Sequence, residues 1–186
     1  MAAGGTPGNV ALGPGRLYMA PLGTTEPVNC STALPSAWIA IGYTEDGTEV
    51  GVDITSEGIE VAEELEPILF MQTKRSTKLT LSMAESTKKR LALSMGAGSQ
   101  YTDDANSFQF PDASEVVAVM LIWDSLDTPT ALNKRWVFRQ CTPSGSVNIS
   151  RKKAPSKSLI PVTFDCAKPS TSVKSVIVFP NSAGAI

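Results

Sequence analysis

The chain has 186 residues, a formal net charge of −2 at pH 7 and no histidine. The missing histidine excludes Ser-His-Asp and Cys-His catalysis as well as histidine zinc ligands. Because there is no basic excess, the composition argues against a protein that wraps or grips DNA. With 14 Gly, 13 Pro, many Ser and Thr and only 18 % charged residues, it is typical of a turn-rich all-β domain.

Neither the cysteines nor the N-terminus indicates a secreted or membrane protein. Cys30, Cys141 and Cys166 are far apart and form no CxxC motif, so we expect buried, reduced thiols and no disulfide framework or zinc cluster. The first residues lack the charged and apolar regions of a signal peptide. The longest apolar run, 116–123, is too short to span a bilayer. We therefore expect a soluble intracellular protein that binds no membrane.

The N-terminal half predicts short strands followed by a long hairpin. Residues 15–21 (GRLYMAP) and 38–43 (WIAIGY) are typical of short strands, and a loop rich in Pro, Ser and Thr separates them. Within residues 48–75, apolar and polar residues alternate with a period of two. This pattern predicts a β-hairpin over about 48–82 that reverses near 63–67, with its base in the core and its tip projecting.

A single helix is predicted after the hairpin. Ser82-Met83-Ala84-Glu85 has the S-x-x-E form of a capping box, which predicts a helix over about residues 84–95 that ends at Gly96. On helical spacing, Leu93 falls on the same side as Arg90. We therefore expect Leu93 to face solvent, where an apolar side chain indicates contact with a partner.

The C-terminal half predicts only strands. Residues 115–123 form a continuous apolar run with β-branched residues, which predicts a central strand covered on both faces. Alternating patterns predict further strands around Trp136, at 147–149, at 160–166 and at 174–179. About nine strands and one helix that do not alternate along the chain favour a mainly β fold, a sandwich or barrel with one flanking helix and a long projecting hairpin.

These elements define one domain with extensions at both ends. The Gly-, Pro- and Ala-rich residues 1–15 predict a flexible N-terminal arm, and 180–186 a C-terminal tail. The β domain is expected to span residues 16–179.

Charge is segregated along the chain. Nine of the 18 acidic residues fall within 45–66, whereas residues 74–90 hold six basic residues and one acid. Three interpretations remain open: a solvated surface, a complementary contact between copies of the chain, or a channel wall that repels a passing polyanion. The acids that would face a lumen or a neighbouring subunit are Asp53, Glu57, Glu60, Glu63, Glu64 and Glu66. The basic and apolar residues that would contact a neighbouring subunit are Lys74, Arg75, Lys78, Leu93, Arg151, Lys152 and Lys153.

No motif predicts catalysis or cofactor binding. Gly96-Ala-Gly98 begins like a dinucleotide-binding loop, but it lacks the third glycine and follows a predicted helix, and neither a P-loop nor a GxSxG motif occurs. A pair of glycosidase carboxylates is not excluded by sequence, but aromatic residues, which usually line such clefts, are only 6 % of the chain. Asp103-Asp104 lacks the rest of a calcium loop and predicts a surface turn. We therefore expect no enzyme, no cofactor and no metal.

The order of the segments resembles one protein family. The chain runs from GRLYMAPLGT through WIAIGYTEDG and the acidic hairpin to TKLTLSMAESTKKRLALSMG, followed by EVVAVMLIWD, RWVFRQCTPSGS, ISRKKA and IPVTFDC. Over residues 15–166 this order resembles the major tail tube proteins of long-tailed, non-contractile bacteriophages, especially those that infect actinobacteria. The resemblance implies a β-sandwich or barrel with one flanking helix.

The resemblance also implies a function and a set of partners. Subunits of such a family form hexameric rings that stack helically into a hollow tube in the virion tail, assembled in the host cytoplasm. The tube starts from baseplate or distal tail proteins, surrounds a tape-measure protein, ends at a terminator and conducts the genome at ejection. The hairpin would bridge subunits or rings, and the inner sheet would line the lumen with mostly acidic side chains. Residues 151–153 would then lie on the outer surface or at a subunit contact, because bases in the lumen would retain DNA.

Other functions compete with this one. A related assembly protein of the same fold, such as a type VI secretion-like tube subunit or a tail terminator, is the nearest alternative. A monomeric β-sandwich binding module, for carbohydrate for example, would display aromatic side chains on one sheet face or at loop tips. The aromatic residues here fall mostly in apolar strand patterns. An enzyme is the remaining class.

Overall fold

Eight strands and one short helix form the regular structure of the described residues. A computed structural model describes residues 15–62, 66–98, 107, 109–112, 114, 116–126, 132–153 and 155–180. The predicted arm and tail lie almost wholly outside these ranges. In chain order the elements are β1 (Gly15–Pro21), β2 (Ile39–Ala40), β3 (Thr44–Ile59), β4 (Leu69–Met83), α1 (Lys88–Ser94), β5 (Val119–Leu126), β6 (Leu132–Ser144), β7 (Ile160–Cys166) and β8 (Val176–Pro180).

All strands belong to one antiparallel sheet, so the predicted mainly β fold with a single helix is confirmed. Its order is β2-β1-β5-β6-β7-β4-β3, and β8 also pairs with β6. Strand β6 pairs with β5 along one edge, and along its other edge with β8 and then with β7. Side chains from β1 and β4, far apart in the strand order, meet in one apolar cluster. The sheet therefore folds over its own core, as in a sandwich or barrel.

The main core lies between the folded sheet and α1. In β7 the alternate residues Ile160, Val162 and Phe164 are buried, as the period-two pattern predicts. They pack against buried apolar residues of β1, β4, β5, β6 and α1. Each fully buried aliphatic or aromatic side chain contributes about 1.5–3 kcal/mol, so this cluster is the main source of stability.

A second apolar cluster covers the opposite face of β1 and β5. Residues 22–38, which we call the outer loop, place Trp38 against Met120, Ile122 and Val137. The Trp38 indole Nε1 donates a hydrogen bond to the carbonyl of Thr25 at 3.2 Å. Strand β5 is thus buried on both faces, which confirms the prediction from its continuous apolar run.

The helix begins later than its capping-box pattern predicts. Ser82 continues strand β4, and α1 starts only after Thr87, whose extended backbone makes no side-chain cap. The Glu85 carboxylate instead accepts a hydrogen bond from the backbone N–H of Tyr43 at 3.2 Å. The residue that looked like a helix cap therefore joins the end of the hairpin to the chain that enters it.

The end of the helix is as predicted, but the exposure of Leu93 is not. Gly96 has a φ of +76°, and its N–H donates to the Leu93 carbonyl while that of Ala97 donates to the Ala92 carbonyl, which is a Schellman motif. Ala92, Leu93 and Ser94 are all buried, because the last turn of this short helix inserts into the core. Leu93 is 1 % exposed, so the prediction that it faces solvent and contacts a partner is wrong.

Two predicted strands are shortened or absent. The strand expected at 38–43 is reduced to Ile39–Ala40. The strand expected at 147–149 does not form, because β6 ends at Ser144, the following Gly145 has a φ of +76°, and the chain continues as a loop. Val147 still packs against the main core, which explains the apolar pattern that predicted a strand.

Candidate self-assembly surfaces

The β3–β4 hairpin has a base inside the sheet and a tip beyond it. Strand β4 pairs with β7 only over residues 77–83, whereas its pairing with β3 continues to Ile59 and Leu69. We call residues 51–59 and 69–76 the distal hairpin. At about 3.3 Å per residue this two-stranded ribbon is roughly 25 Å long. A lone two-stranded ribbon is only marginally stable in water, so the distal hairpin is the part of the sheet with least support from its own chain.

Large apolar side chains on the distal hairpin and beside its turn are exposed. Phe70 is 68 % exposed, and the cross-strand partners Ile59 and Leu69 are 38 % and 55 % exposed. The full set is Val52, Ile54, Ile59, Ile68, Leu69, Phe70 and Met71. Clustered exposed apolar residues mark interaction surfaces rather than ordinary solvent-facing strands.

The predicted acidic residues lie along this hairpin and beside its turn. Asp53 lies on β3, and its carboxylate is 3.5 Å from the Lys78 ammonium on β4. Glu57, Glu60 and Glu66 are exposed and belong to no ion pair among the described residues. The remaining two predicted acids, Glu63 and Glu64, lie outside the described residues. The described carboxylates are thus available at the surface.

The predicted basic residues of β4 lie beside these acids and not on a separate surface. Lys74 and Arg75 are exposed and pair across the ribbon with Thr55 and Ile54. The charge segregation along the sequence therefore becomes a mixed surface on the two strands. An exposed ion pair, such as that of Asp53 with Lys78, contributes only about 0–1 kcal/mol to stability. The charged side chains of the hairpin therefore contribute little to the stability of the fold.

Polar side chains cover the side of β7, β4 and β3 that faces away from the core. Thr163, Thr80 and Glu49 form one row across the three strands, and the two threonine hydroxyls are 3.3 Å apart. Asp165 and Lys78 form the next row. We call this the polar sheet face; Asp53 continues it onto the distal hairpin. Three carboxylates and one ammonium make this face mildly acidic, so it has little affinity for a polyanion.

The base of the hairpin is fixed by polar contacts. The Arg90 guanidinium of α1 donates to the carbonyls of Ile41 and Ala40, each at 2.6 Å. The Lys157 ammonium lies 2.7 Å from the Glu45 carboxylate. These contacts hold the chain where it enters β3, ahead of the register shift between Glu45 and Thr48, so the start of the hairpin is fixed to the domain.

Two arginines of β6 hold the outer loop against the sheet. Arg135 forms a buried bidentate pair with Asp124, at 2.7 and 3.0 Å, and donates to the carbonyls of Asn29 and Thr32. Arg139 forms a second bidentate pair with Glu26, at 2.7 and 2.9 Å. Bidentate Arg–carboxylate pairs fix geometry as well as charge, so the outer loop is an integral part of the domain.

An apolar groove of about 360 Å³ opens at the end of α1. Its apolar lining consists of Met95, Phe110, Pro111, Val116, Pro143 and Val147, and we call it the apolar groove. Phe110 and Val116 are 72 % and 37 % exposed. The neighbouring Val117 and Ile149 are also exposed, at 46 % and 43 %. This is the second place where large apolar side chains cluster at the surface.

The predicted basic tripeptide follows this groove along the chain. Arg151, Lys152 and Lys153, which we call the basic loop segment, are exposed and take part in no ion pair among the described residues. The Lys152 N–H donates to the Ser158 hydroxyl at 2.9 Å, which orders the loop backbone. These three bases lie in the loop between β6 and β7, whereas Lys74, Arg75 and Lys78 belong to β4.

The thiols do not form a reactive site. Burial raises the pKa of the Cys30 thiol, and it raises the pKa of Cys141 well above its ordinary value of 9.0, with the Cys166 thiol 3.5 Å away acting in the same direction. Both groups are therefore neutral near pH 7 and poor nucleophiles. The described residues contain no group of three or more metal-ligating side chains. Within the same residues, no helix is long and apolar enough to cross a membrane.

Sequence reasoning missed the outer-loop contacts and the apolar groove. Arg135 and Arg139 alternate with Trp136 and Phe138, a pattern that predicts a solvent-facing side for the arginines. The arginines have a structural role only because they form ion pairs with Asp124 and Glu26, which are distant along the chain. The available signal in the sequence was that the two arginines lie four residues apart on one strand, and therefore on the same face of it. The groove joins three separate segments and has no signal in any one of them.

The described residues thus form a sheet with a projecting hairpin that carries exposed apolar and charged side chains, together with a second exposed apolar cluster. The chain belongs to the phage tail tube protein family, whose model matches residues 7–173. It is therefore a structural subunit of a phage tail tube, and its location is the virion tail. The predicted tail tube family and the predicted role as a structural tail tube subunit are confirmed.

The fold is similar to that of solved injection-system proteins. A chain of the PVC sheath/tube terminator of an extracellular contractile injection system is 15 % identical with a TM-score of 0.50, over 95 % of this chain and 99 % of that one. A chain of the PVC sheath-tube complex is 16 % identical (TM-score 0.47, 90 % and 88 % covered). A chain of the anti-feeding prophage baseplate is 12 % identical (TM-score 0.48, 96 % and 99 % covered). No curated protein sequence matches the chain.

Proposed function

We propose that this subunit forms hexameric rings that stack helically into a hollow tail tube, the conduit for genome ejection. The role is structural and not enzymatic. Family membership supports the tube. The observation that carries polymerisation is the distal hairpin, whose apolar side chains are left exposed by the described part of the chain. Burying such surface between subunits provides the driving force for assembly.

The edges of the sheet also support self-association. Strand β3, with 16 residues, is the last strand of the sheet order. A long edge strand offers unpaired backbone donors and acceptors to another chain, and proteins normally cover or shorten such edges. In a ring, the neighbouring subunit supplies that cover, so polymerisation accounts for an edge that a monomer would have reason to avoid.

We propose further that the polar sheet face lines the lumen. Thr80, Thr163, Glu49 and Asp165 offer hydroxyls and carboxylates to passing DNA, and Lys78 is the base opposite Asp165. A neutral to acidic wall does not release counterions from the phosphates, so DNA slides without adhering. The double substitution Glu49→Lys with Asp165→Lys is expected to leave tubes intact and slow ejection. Unchanged ejection kinetics would contradict this placement.

The partners follow from the same proposal. The tube would start on baseplate or distal tail proteins, surround a tape-measure protein and end at a terminator. Fold similarity to a chain of a sheath/tube terminator assembly supports tail partners of this kind. Pull-down of the tape-measure and distal tail proteins with the purified subunit tests the assignment.

Negative-stain electron microscopy of the purified, concentrated protein tests polymerisation. We expect hollow tubes or stacked rings. Single rings that never elongate would favour a tail terminator. Particles that stay monomeric at every concentration, also after the tape-measure and baseplate proteins are added, would contradict the proposal and favour a monomeric binding module.

A pair of variants tests the part of the hairpin in this assembly. Leu69→Ser with Phe70→Ser removes the exposed apolar surface and should abolish tubes while leaving the circular dichroism of the subunit unchanged. Val28, which is 77 % exposed on the outer loop, provides the matched control. Val28→Ser should form tubes like the wild type, and equal loss in both variants would contradict a specific role of the hairpin.

A further inference from the structure

Two of the three cysteines meet where strands β6 and β7 pair. Cys141 of β6 and Cys166 of β7 lie directly opposite each other in the antiparallel ladder. Their Sγ atoms are 3.5 Å apart, and both thiols are reduced. Cys141 is fully buried, whereas Cys166 is half-buried and packs against the main core. One sulfur of the pair is therefore sealed inside the domain, and the other can be reached by a small solute.

The backbone around the pair has the geometry that a disulfide needs. The N–H of Ala167 donates to the carbonyl of Gln140 at 2.8 Å, so the adjacent residue pair carries the ladder hydrogen bond. Cys141 and Cys166 therefore occupy a non-hydrogen-bonded position, at which opposite Cα atoms are about 4.5 Å apart. Disulfides bridge Cα atoms that are about 4.4–6.8 Å apart. Side-chain rotation that shortens the Sγ–Sγ distance to about 2.05 Å closes the bond without moving either strand.

The pair lies at a short seam in the sheet. The β6–β7 ladder has four residue pairs, whereas the β5–β6 and β4–β7 ladders have seven each. In the described sheet, this short ladder joins β7, β4 and β3 to the other strands.

The two cysteines also mark the ends of neighbouring ladders. Beyond Cys141, the partner of β6 changes from β7 to β8. Cys166 pairs on its other side with Thr77 of β4, and the distal hairpin leaves the sheet beyond Thr77. A covalent bond between the cysteines would therefore hold the part of the sheet that carries the hairpin to the rest of the domain.

We propose that Cys141 and Cys166 form a modification site, a thiol pair that closes to a disulfide when the folded subunit meets a small peroxide, and so staples β6 to β7. In a reducing cytoplasm such thiols stay reduced, whereas a virion outside the cell meets oxidising conditions. The inference concerns the folded subunit alone. Its failure would leave the proposed polymerisation untouched.

The chemistry balances with hydrogen peroxide as the oxidant. The accessible Cys166 sulfur attacks one peroxide oxygen and the O–O bond breaks, which gives a sulfenic acid and one water. The Cys141 sulfur then attacks the Cys166 sulfur, the S–O bond breaks, and a second water leaves with the remaining thiol proton. Two thiols thus lose two electrons and two protons, and one peroxide is reduced to two waters.

Peptide mapping of the oxidised subunit tests the bond. Because burial raises the pKa of the Cys141 thiol, oxidation is slow near pH 7 and is driven here with dilute hydrogen peroxide at about pH 8.5. Remaining thiols are alkylated in denaturant before digestion with trypsin. We expect peptides 140–151 and 158–174 to be joined in one species that separates on reduction. Two separate peptides, or Cys166 oxidised without the link, would overturn the proposal.

Two single variants are the matched controls for the mapping. Cys30→Ala removes the third cysteine and keeps the pair, so it should give the same joined species as the wild type. Cys166→Ala removes one partner and should not give it. A joined species that disappears in Cys30→Ala would overturn the pairing. The wild type and Cys30→Ala decide the question even where Cys166→Ala folds poorly.

Thermal denaturation tests whether the bond staples the seam. The two cysteines are 25 residues apart in the chain, and closing a loop of this size should raise the midpoint of unfolding by about 5–10 °C. A reductant should reverse the gain, and Cys166→Ala treated with the same oxidant should show none. An oxidised wild type with an unchanged midpoint, or an equal gain in Cys166→Ala, would overturn the staple.

Discussion

The base and the tip of the β3–β4 hairpin both carry large apolar side chains but lie in opposite environments. Leu79 and Leu69 lie on the same strand, yet Leu79 is fully buried and Leu69 is 55 % exposed. At the base, β7 and the folded sheet cover the apolar face, whereas at the tip only the ribbon itself remains. The difference teaches that apolar alternation specifies a strand, while the neighbouring elements decide whether its apolar face is core or interface.

The largest effect is expected where a charged contact is buried in the domain. Asp124→Ala leaves the Arg135 guanidinium unpaired at a 5 % exposed site, which should lower the free energy of unfolding by about 3–5 kcal/mol. Asp53→Ala removes the exposed ion pair with Lys78 and should cost no more than about 1 kcal/mol. Urea denaturation of both variants measures the contrast, and equal losses would show that the ion pair on the hairpin is as integral to the fold as the buried pair between β5 and β6.

Alanine substitutions of Leu79 and Leu69 compare the base and the tip of the hairpin most directly. Leu79→Ala creates a cavity in the core and should destabilise the subunit by about 2–5 kcal/mol. Leu69→Ala should change the free energy of unfolding by less than about 0.5 kcal/mol because the side chain is largely in solvent. Tube assembly should instead be weakened by Leu69→Ala. A Leu69→Ala variant that loses as much stability as Leu79→Ala would contradict an uncovered tip.

Alanine substitutions of Gly96 and Gly51 should have smaller effects on the free energy of unfolding. Gly96 has a φ of +76°, and an added Cβ would lie 2.7 Å from Val116 Cγ1, so Gly96→Ala should cost about 1–2 kcal/mol or more and narrow the apolar groove. Gly51 on the hairpin has open space around an added Cβ, so Gly51→Ala should be neutral or stabilising by about 0.5–1 kcal/mol. Thermal denaturation of the two variants distinguishes these outcomes, and a Gly96→Ala variant as stable as the wild type would contradict the Schellman geometry.

The smallest effect is a pH dependence from Cys141. Burial raises the pKa of this thiol in the folded chain above its ordinary value of 9.0, so the unfolded chain releases the proton first as pH rises. Stability should therefore fall above pH 9, by up to about 1.4 kcal/mol per pH unit for this one group. Unfolding measured at pH 7 and pH 10 should show a smaller loss in Cys141→Ala than in the wild type. An equal loss would remove Cys141 as its source.

Local pattern predicted the elements, and long-range contacts decided their environments. Strands β1 and β7 and the hairpin were predicted from local sequence because turn residues and period-two alternation mark them. The helix start and Leu93 were wrong because Glu85 bonds to Tyr43 and the last helical turn enters the core, and both depend on distant residues. The resemblance predicted the tube, whereas the apolar groove appears only when Met95, Phe110 and Val147 are brought together.

Hydrogen–deuterium exchange of the subunit before and after assembly tests the central claim most directly, namely that the tip of the hairpin is an interface and its base is core. In the free subunit, amides of residues 160–166 should exchange slowly and those of the distal hairpin quickly. On assembly, exchange in the distal hairpin should slow by about tenfold or more, with little change at 160–166. A distal hairpin that exchanges equally fast in free subunits and in tubes would contradict the account.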